Sequence, residues 1–460
     1  MSQGISISDS GMGGEEDRPM PGPVQSFKQR AVESVLTVAG GQVISQGIRF
    51  GANLLLTRMF LPEVFGIMAL IQTLVVGVNL FSDMGIGANI INHKRGGEQR
   101  FVNTVWTVSI IRGFFLWGLI AIFAYPVAWL WGEPQIAPMM IVVGGSYAIM
   151  PFESMGMRVL CRDVRNRRMV AEEILTQLIV TSFILFTAYF IWRSVWVLVI
   201  ASLVNGVVHV GLTYAMWPSF RNWFAWDREA VHEILKFGVW IFLSSGVTWV
   251  QNYSDKAVLG GLVTVDEIGI YAIAYALANM GIQVIRKLGN QTLFPVYSRL
   301  SERGVDHLRR NTFRIRLGLL LLLLPPVWLL AVFGDHLVWF LYPAEYHEAG
   351  WMLRLIAIGT VGVVVNQTAV TILLAKRDSK RYMFMQQIRA SLFLAGLIVG
   401  GKFWGLEGAI IGMVVAQLSE YPVLVWAIRP HKVWLPTLDL VAFAISWVVI
   451  SLGWVLFPLS

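Results

Sequence analysis

Only one cysteine, Cys161, occurs in 460 residues, so no internal disulfide can form. Charge is scarce too. Asp, Glu, Lys and Arg make up 14% of the chain, while 56% is hydrophobic; soluble domains carry about 25% charged residues. Long polar gaps are missing: the longest, 218–236, 291–311 and 334–349, hold about 20 residues or fewer, too few to fold alone. No Gly-rich phosphate loop ending in Lys-Ser or Lys-Thr occurs, so no ATP-binding signature is present. Residues 1–27 lack the apolar core of a signal peptide, and their Gly, Ser, Pro and acidic content predicts a disordered tail.

What is abundant is apolar sequence. The mean hydropathy is +0.63, and apolar stretches recur at 32–57, 64–91, 102–131, 136–157, 171–192, 194–217, 237–261, 267–290, 312–333, 350–374, 382–402, 407–428 and 436–457. Each is close to the roughly 20 residues that cross a bilayer as a helix. The expected fold class is an all-α polytopic membrane protein of about 12–14 transmembrane helices.

Charge orients the chain. With the N-terminus inside, 29 of the 36 Lys and Arg residues fall in inner gaps, and only Arg58, Arg193, Arg354 and Lys402 fall outside. Cytoplasmic loops keep such an excess because insertion disfavours moving positive charge across the membrane. The formal net charge of +8 is therefore accounted for by loop placement and attraction to anionic lipid headgroups, not by nucleic acid. With a thirteenth span the C-terminus lies outside; without it, inside. Several of the 19 Trp residues, among them Trp129, Trp131, Trp217, Trp223 and Trp226, sit near span ends as an aromatic belt requires.

The chain echoes itself. Phe65-Gly66-Ile67-Met68-Ala69-Leu70 compares with Ile268-Gly269-Ile270-Tyr271-Ala272-Ile273, 203 residues later. Leu160-Cys161-Arg162-Asp163 compares with Leu374-Ala375-Lys376-Arg377-Asp378, and the turn Leu130-Trp131-Gly132-Glu133-Pro134 with Leu341-Tyr342-Pro343-Ala344-Glu345. An offset of about six spans keeps orientation, so the repeat is parallel. It predicts an N-lobe (28–218) and a C-lobe (237–430), each of six helices, around a central cavity. An amphipathic linker helix on the inner face (219–236) and an extra C-terminal helix (431–460) complete the expected domains.

Polar residues inside the spans mark that cavity. Gln42, Gln46, Arg49 and Asn53 share one face of span 1. Adding the offset reaches span 7, with Asn252, Asp255 and Lys256 on or beside the equivalent face. Span 2 contributes Asp83 and span 8 its equivalent, Arg286; Arg112 lies near the middle of span 3. A charge at mid-bilayer costs at least about 2.5–3.5 kcal/mol, so these groups face a cavity or a partner. The expectation is a water-filled space lined by spans 1, 2, 7 and 8, made cationic by Arg49, Lys256, Arg112 and Arg286 and suited to an anion. Arg49 and Lys256 are placed in its outer half. The opposing reading is structural: Asp255 neutralises a nearby cation, and Gln and Asn join helices. His209 and Glu420 read as isolated in spans 6 and 12, each either a proton carrier or a packed polar group.

Four segments carry a family resemblance: Leu56-Thr57-Arg58-Met59-Phe60-Leu61-Pro62-Glu63-Val64-Phe65-Gly66; Asp83-Met84-Gly85-Ile86-Gly87; Asp255-Lys256-Ala257-Val258-Leu259-Gly260; and Glu345-Tyr346-His347-Glu348-Ala349-Gly350-Trp351-Met352-Leu353-Arg354. In this order they resemble the polysaccharide exporters, or lipid-linked oligosaccharide flippases, of the multidrug/oligosaccharidyl-lipid/polysaccharide superfamily, over about residues 32–430. The resemblance implies two pseudo-symmetric six-helix lobes that rock between inward-open and outward-open states in a bacterial inner membrane. It implies a substrate, undecaprenyl-pyrophosphate-linked oligosaccharide, and work alongside polysaccharide polymerase and export machinery. Arg49, Lys256 and Arg112 are then expected to hold the pyrophosphate, and Gln42, Gln46, Asn53 and Asn252 the sugar. No cofactor is expected, and the coupling ion, H+ or Na+, stays open. Two rivals remain: a multidrug cation antiporter of the same superfamily, kept alive by Asp83, Asp255 and Glu420, and a membrane polymerase or ligase, for which the short loop 334–349 offers His336 and His347.

Overall fold

The computed structural model describes residues 27–81, 98–156, 167–217, 222–288, 297, 305–376 and 378–457. Among them, helices follow one another with no strand. They are α1 (Phe27–Leu56), α2 (Pro62–Phe81), α3 (Gln99–Leu130), α4 (Ile136–Ile149), α5 (Arg167–Phe190), α6 (Val195–Met216), α7 (Arg228–Leu259), α8 (Val265–Leu288), α9 (Val305–Leu341), α10 (Ala349–Ala375), α11 (Ser379–Ile428) and α12 (Pro436–Leu456). Eight described segments are long and apolar enough to cross a membrane by length and composition. Helices are the way a chain without soluble cover keeps every backbone N–H and C=O satisfied in hydrocarbon.

Local chemistry sets the helix starts. Asp227 caps α7 by accepting from the backbone N–H groups of Glu229 (3.0 Å) and Ala230 (3.4 Å), and Asp378 caps α11 through Arg381 N. Thr264 and Glu267 form a reciprocal capping box at α8, with Thr264 N donating to Glu267 Oε2 (2.8 Å) and Glu267 N to Thr264 Oγ1 (3.3 Å).

Two apolar spans share α11. The chain reverses at Trp404 and Gly405, and Gly405, at φ +59°, lies in the left-handed region open to glycine. The segments on either side interlock through Gly396 and Gly400 against Gly412 and Gly408, where a Cβ would collide with the opposing backbone. This is the small-xxx-small contact that lets membrane helices approach closely.

The expected amphipathic helix over 219–236 takes another form. Residues 222–227 are irregular, and from Arg228 the chain is already in α7. Side chains of α3 satisfy the irregular stretch: Thr107 Oγ1 accepts from Ala225 N at 3.1 Å, and Asn222 Nδ2 donates to Asn103 Oδ1 at 3.3 Å. The ring of Phe224 packs on Trp106.

The thirteenth span is firmly docked. Buried Asp439 of α12 meets buried Arg316 of α9 at 2.7 Å and accepts from Tyr421 at 3.2 Å. Trp328 donates to Ser446 and Trp454 to the Ala331 carbonyl, both at 2.8 Å. Arg316 therefore sits in the helical core and not in the inner gap to which the sequence assigned it. Arg354, expected outside, is likewise buried in α10 on Asp335 at 2.6 Å.

The two halves of the chain meet chiefly through α2, which packs against α7 and α8. The first echo lies at this junction. A Cβ on Gly66 would strike the Val265 carbonyl, and one on Gly269 the Pro62 carbonyl. The third echo makes reciprocal contacts: Trp131 donates to the Ala257 carbonyl (3.1 Å), and Tyr342 to Asn53 Oδ1 (2.9 Å). Tyr346 adds a bond to the Phe60 carbonyl at 2.7 Å. These contacts gather at the turns 57–61, 131–135 and 342–348 and the helix ends beside them.

Candidate functional site

Helices α1, α5 and α6 enclose a cavity of about 580 Å³, lined by Arg49 and Asn53 of α1, Glu172, Glu173 and Gln177 of α5, and His209 of α6, among others. Helices α1 and α5 run side by side, and Gln177 Nε2 donates to the Ser45 carbonyl at 3.1 Å. Arg49 stands one turn further along α1 yet reaches back to Glu173, one turn nearer the basic side than Gln177, at 3.5 Å. Its guanidinium thus lies nearer the basic loops than its place in the sequence predicts. Both partners are about half exposed.

The other predicted residues are distributed differently. Lys256 pairs with buried Asp255 at 2.8 Å and lies 4.1 Å from the centre of the Tyr275 ring. Tyr271 donates to the same Asp255 oxygen at 2.8 Å. Arg112 donates to the carbonyl and side-chain oxygens of Asn79 at 3.0 and 2.8 Å, and Asn252 to the Thr248 carbonyl at 2.7 Å. Gln42 and Gln46 are half-buried on α1. Arg49 and Asn53 therefore share the cavity wall, whereas Lys256 and Arg112 are absent from it. Asp83 and the side chain of Arg286 lie outside the described residues.

The cavity also holds what the sequence did not reveal. His209 is not isolated. Its Nδ1 lies 2.8 Å from Glu172 Oε1 and its Nε2 2.9 Å from Glu153 Oε2, with all three side chains largely buried. Thr176 donates to Glu172 Oε1 at 2.7 Å. Glu153 follows the single helical turn Met150–Phe152 that ends α4, so the cluster ties α4, α5 and α6 together. No one helix carries these groups at a telling spacing. Glu420 is not isolated either, since Arg389 meets it at 2.7 Å. The wall of this cavity carries Glu172 and Glu173 beside Arg49, so it is amphoteric. Placing Arg49 among carboxylates offsets part of the cost of burying either sign. His336 and His347 each pack on Trp339, with ring centres 6.2 and 5.7 Å apart.

The described residues form a packed helical bundle with a cavity in its N-terminal half. The same fold occurs in the lipid II flippase MurJ in its inward closed conformation (TM-score 0.69, 11% identity, 93% of each chain). It occurs also in an inward-facing multidrug resistance transporter of the MATE family (TM-score 0.62, 16% identity, 88% of this chain and 98% of that one). The chain belongs to the polysaccharide biosynthesis protein family, whose profile matches residues 55–350. It is 20% identical to the lipopolysaccharide biosynthesis protein WzxC of Escherichia coli (strain K12), over 85% of this chain and 80% of that one. It is also 20% identical to the succinoglycan biosynthesis transport protein ExoT of Rhizobium meliloti (strain 1021), over 58% of this chain and 54% of that one.

Proposed function

We propose that this protein is a bacterial inner-membrane flippase that moves an undecaprenyl-pyrophosphate-linked oligosaccharide from the cytoplasmic to the outer leaflet. The cavity carries the reading: Arg49 presents a half-exposed guanidinium to a space of about 580 Å³, within the size range of small-molecule sites. Membership of a polysaccharide biosynthesis family supports it. The pyrophosphate pairs with Arg49, displacing Glu173, while Gln42, Gln46 and Asn53 meet sugar hydroxyls. Asn252 stands ready for sugar in a later state. Lys256, Asp255 and Arg112 hold the helices that bound the path, and the polyprenyl tail stays in lipid.

The halves 28–218 and 237–430 act as two lobes that rock about their junction. The close contacts at Gly66, Gly269, Tyr342 and Tyr346 are read as the closed outer gate of an inward-open state with a cytoplasmic N-terminus. Binding shifts the equilibrium only if the substrate prefers one state over the other. Polysaccharide polymerase and export machinery receive the product.

Glu172 and Glu173 favour a second reading, a multidrug cation antiporter, since carboxylates in the wall suit a cation. One experiment separates the two. The gene is deleted from its host and restored as wild type or Arg49→Ala, and lipid-linked oligosaccharide is measured in each leaflet alongside ethidium efflux. Wild type should return the oligosaccharide to the outer leaflet, and Arg49→Ala, at equal expression, should leave it inside. Restored efflux without any change in the oligosaccharide would overturn the flippase in favour of the antiporter.

A further inference from the structure

The buried histidine between two glutamates asks for a proton that the neutral groups do not supply. Both ring nitrogens of His209 lie within hydrogen-bond distance of a carboxylate oxygen, Glu172 at 2.8 Å and Glu153 at 2.9 Å. A neutral imidazole has one N–H and one lone pair. With both carboxylates ionised, it can donate to one of them and must turn its lone pair on the other. The observed geometry holds one proton more, either on the ring as imidazolium or on one of the carboxyls. When that proton leaves, one of the two contacts must break.

The cluster is connected to the transport cavity. Glu172 and His209 line it, so the proton can exchange with cavity water. Glu173, the next residue, holds Arg49 from the same wall. Glu172 and Glu173 leave α5 in different directions, one toward α6 and the other toward α1, so a shift of α5 reaches both. Glu153 is joined to α3 as well, because Trp106 Nε1 donates to its carbonyl at 3.2 Å. The charged groups facing His209 are Glu153 and Glu172, with Arg49 and Glu173 across the cavity. The other helices packed on α6, namely α2 and α4, carry Glu63 and Tyr147 as their only titratable side chains.

We propose that His209, Glu172 and Glu153 form the proton-binding site that couples this transporter to a proton gradient. The proposal rests on the transport reading above and names its ion. Loading holds α4, α5 and α6 together; release of one proton to the cavity frees one contact and lets α5 move relative to α6, changing how Glu173 holds Arg49. One proton is bound and one released per cycle, and no bond other than N–H or O–H forms or breaks.

The full-length protein is labelled with 15N-histidine, placed in lipid nanodiscs and titrated between about pH 5 and pH 10. His209 is assigned by loss of its signal in His209→Gln, and carboxyl protonation is followed by infrared difference spectroscopy on the same samples. The expected result is a His209 ring signal and a carboxyl band that change over one pH range, with the range displaced in Glu172→Gln. A ring signal that stays fixed throughout, or that moves with sodium concentration at constant pH, overturns the proposal. Should His209→Gln fail to fold, Glu172→Gln supplies the assignment. In the deleted host, a protonophore should stop outer-leaflet delivery by wild type, and Glu172→Gln, at equal expression, should deliver several-fold less than wild type. A wild type that titrates as expected but delivers no oligosaccharide would sink the flippase reading and leave the proton site standing. Delivery indifferent to the protonophore, by a wild type that does deliver, would sink the coupling site alone.

Discussion

At the scale of single residues, two lysine and arginine side chains that look alike in sequence do opposite things. Lys256 is paired with an Asp255 that is wholly buried, whereas Arg49 and Glu173 are about half exposed. Removing one partner of a buried pair costs about 3–5 kcal/mol because it strands the other charge, but an exposed pair contributes about 0–1 kcal/mol. Lys256→Ala should therefore lower the unfolding temperature in detergent by several degrees, and Arg49→Ala should leave it nearly unchanged while abolishing export. Equal losses of stability in scanning fluorimetry would contradict this division. The stripe Gln42, Gln46, Arg49, Asn53 was legible because one helix carries it at spacings of three and four. Glu153, Glu172 and His209 were not, because they lie on three elements and become neighbours only when these pack. Asp255 beside Lys256 was readable as a neutralising partner, and adjacency in sequence is the reason.

At the scale of elements, the apolar stretches gave away nearly every helix, since a run of about 20 apolar residues has few other fates. What patterns could not show was which helices touch. Gly66 and Gly269 were noticed as an echo; their physical meaning is that α2 and α8 cross backbone to backbone. Gly66→Ala or Gly269→Ala should push these helices apart, because a carbonyl oxygen cannot turn aside as a side chain can. With Cys161→Ala as background and Asn53→Cys as reporter, either change should raise labelling by a membrane-impermeant maleimide applied from outside several-fold; unchanged labelling would show that the crossing is not a gate. The expected linker helix failed for a different reason. Its alternation of aromatic and charged residues fits a surface helix, but polar side chains of α3 bond the Ala225 N–H and the Asn222 side chain instead. Helix α12 supplies a further test: Asp439→Ala strands Arg316, and the end of the chain should become sensitive to protease while the rest stays folded.

At the scale of the whole molecule, the charge count predicts an orientation but overstates how many basic residues lie in loops. Arg316 and Arg389 belong to buried pairs inside helices, which a tally by gap cannot distinguish from loop charge. Orientation itself survives the loss of two residues from so large an excess. Thirteen crossings from a cytoplasmic N-terminus would put the ends of the chain on opposite sides. Alkaline phosphatase fused after Glu133 or after Leu456 should be active in intact cells, and a fusion after Asn222 inactive. An inactive fusion after Leu456 would mean that α12 does not cross.

Helix α10 is nearly enclosed: 83% of the most apolar stretch around it is buried within the protein, against 11% for α5. A helix that scarcely touches lipid has no reason to match the bilayer's thickness, and its Thr360, Asn366, Thr368 and Thr371 are buried against protein instead. Membrane thinning or thickening, which tilts or strains exposed helices by fractions of a kcal/mol per Å, acts on α5 at the rim and hardly on α10 at the axis. Because α5 carries Glu172 and Glu173, lipid chain length becomes a dial on the transport cavity, turned from outside the protein while its core stays still.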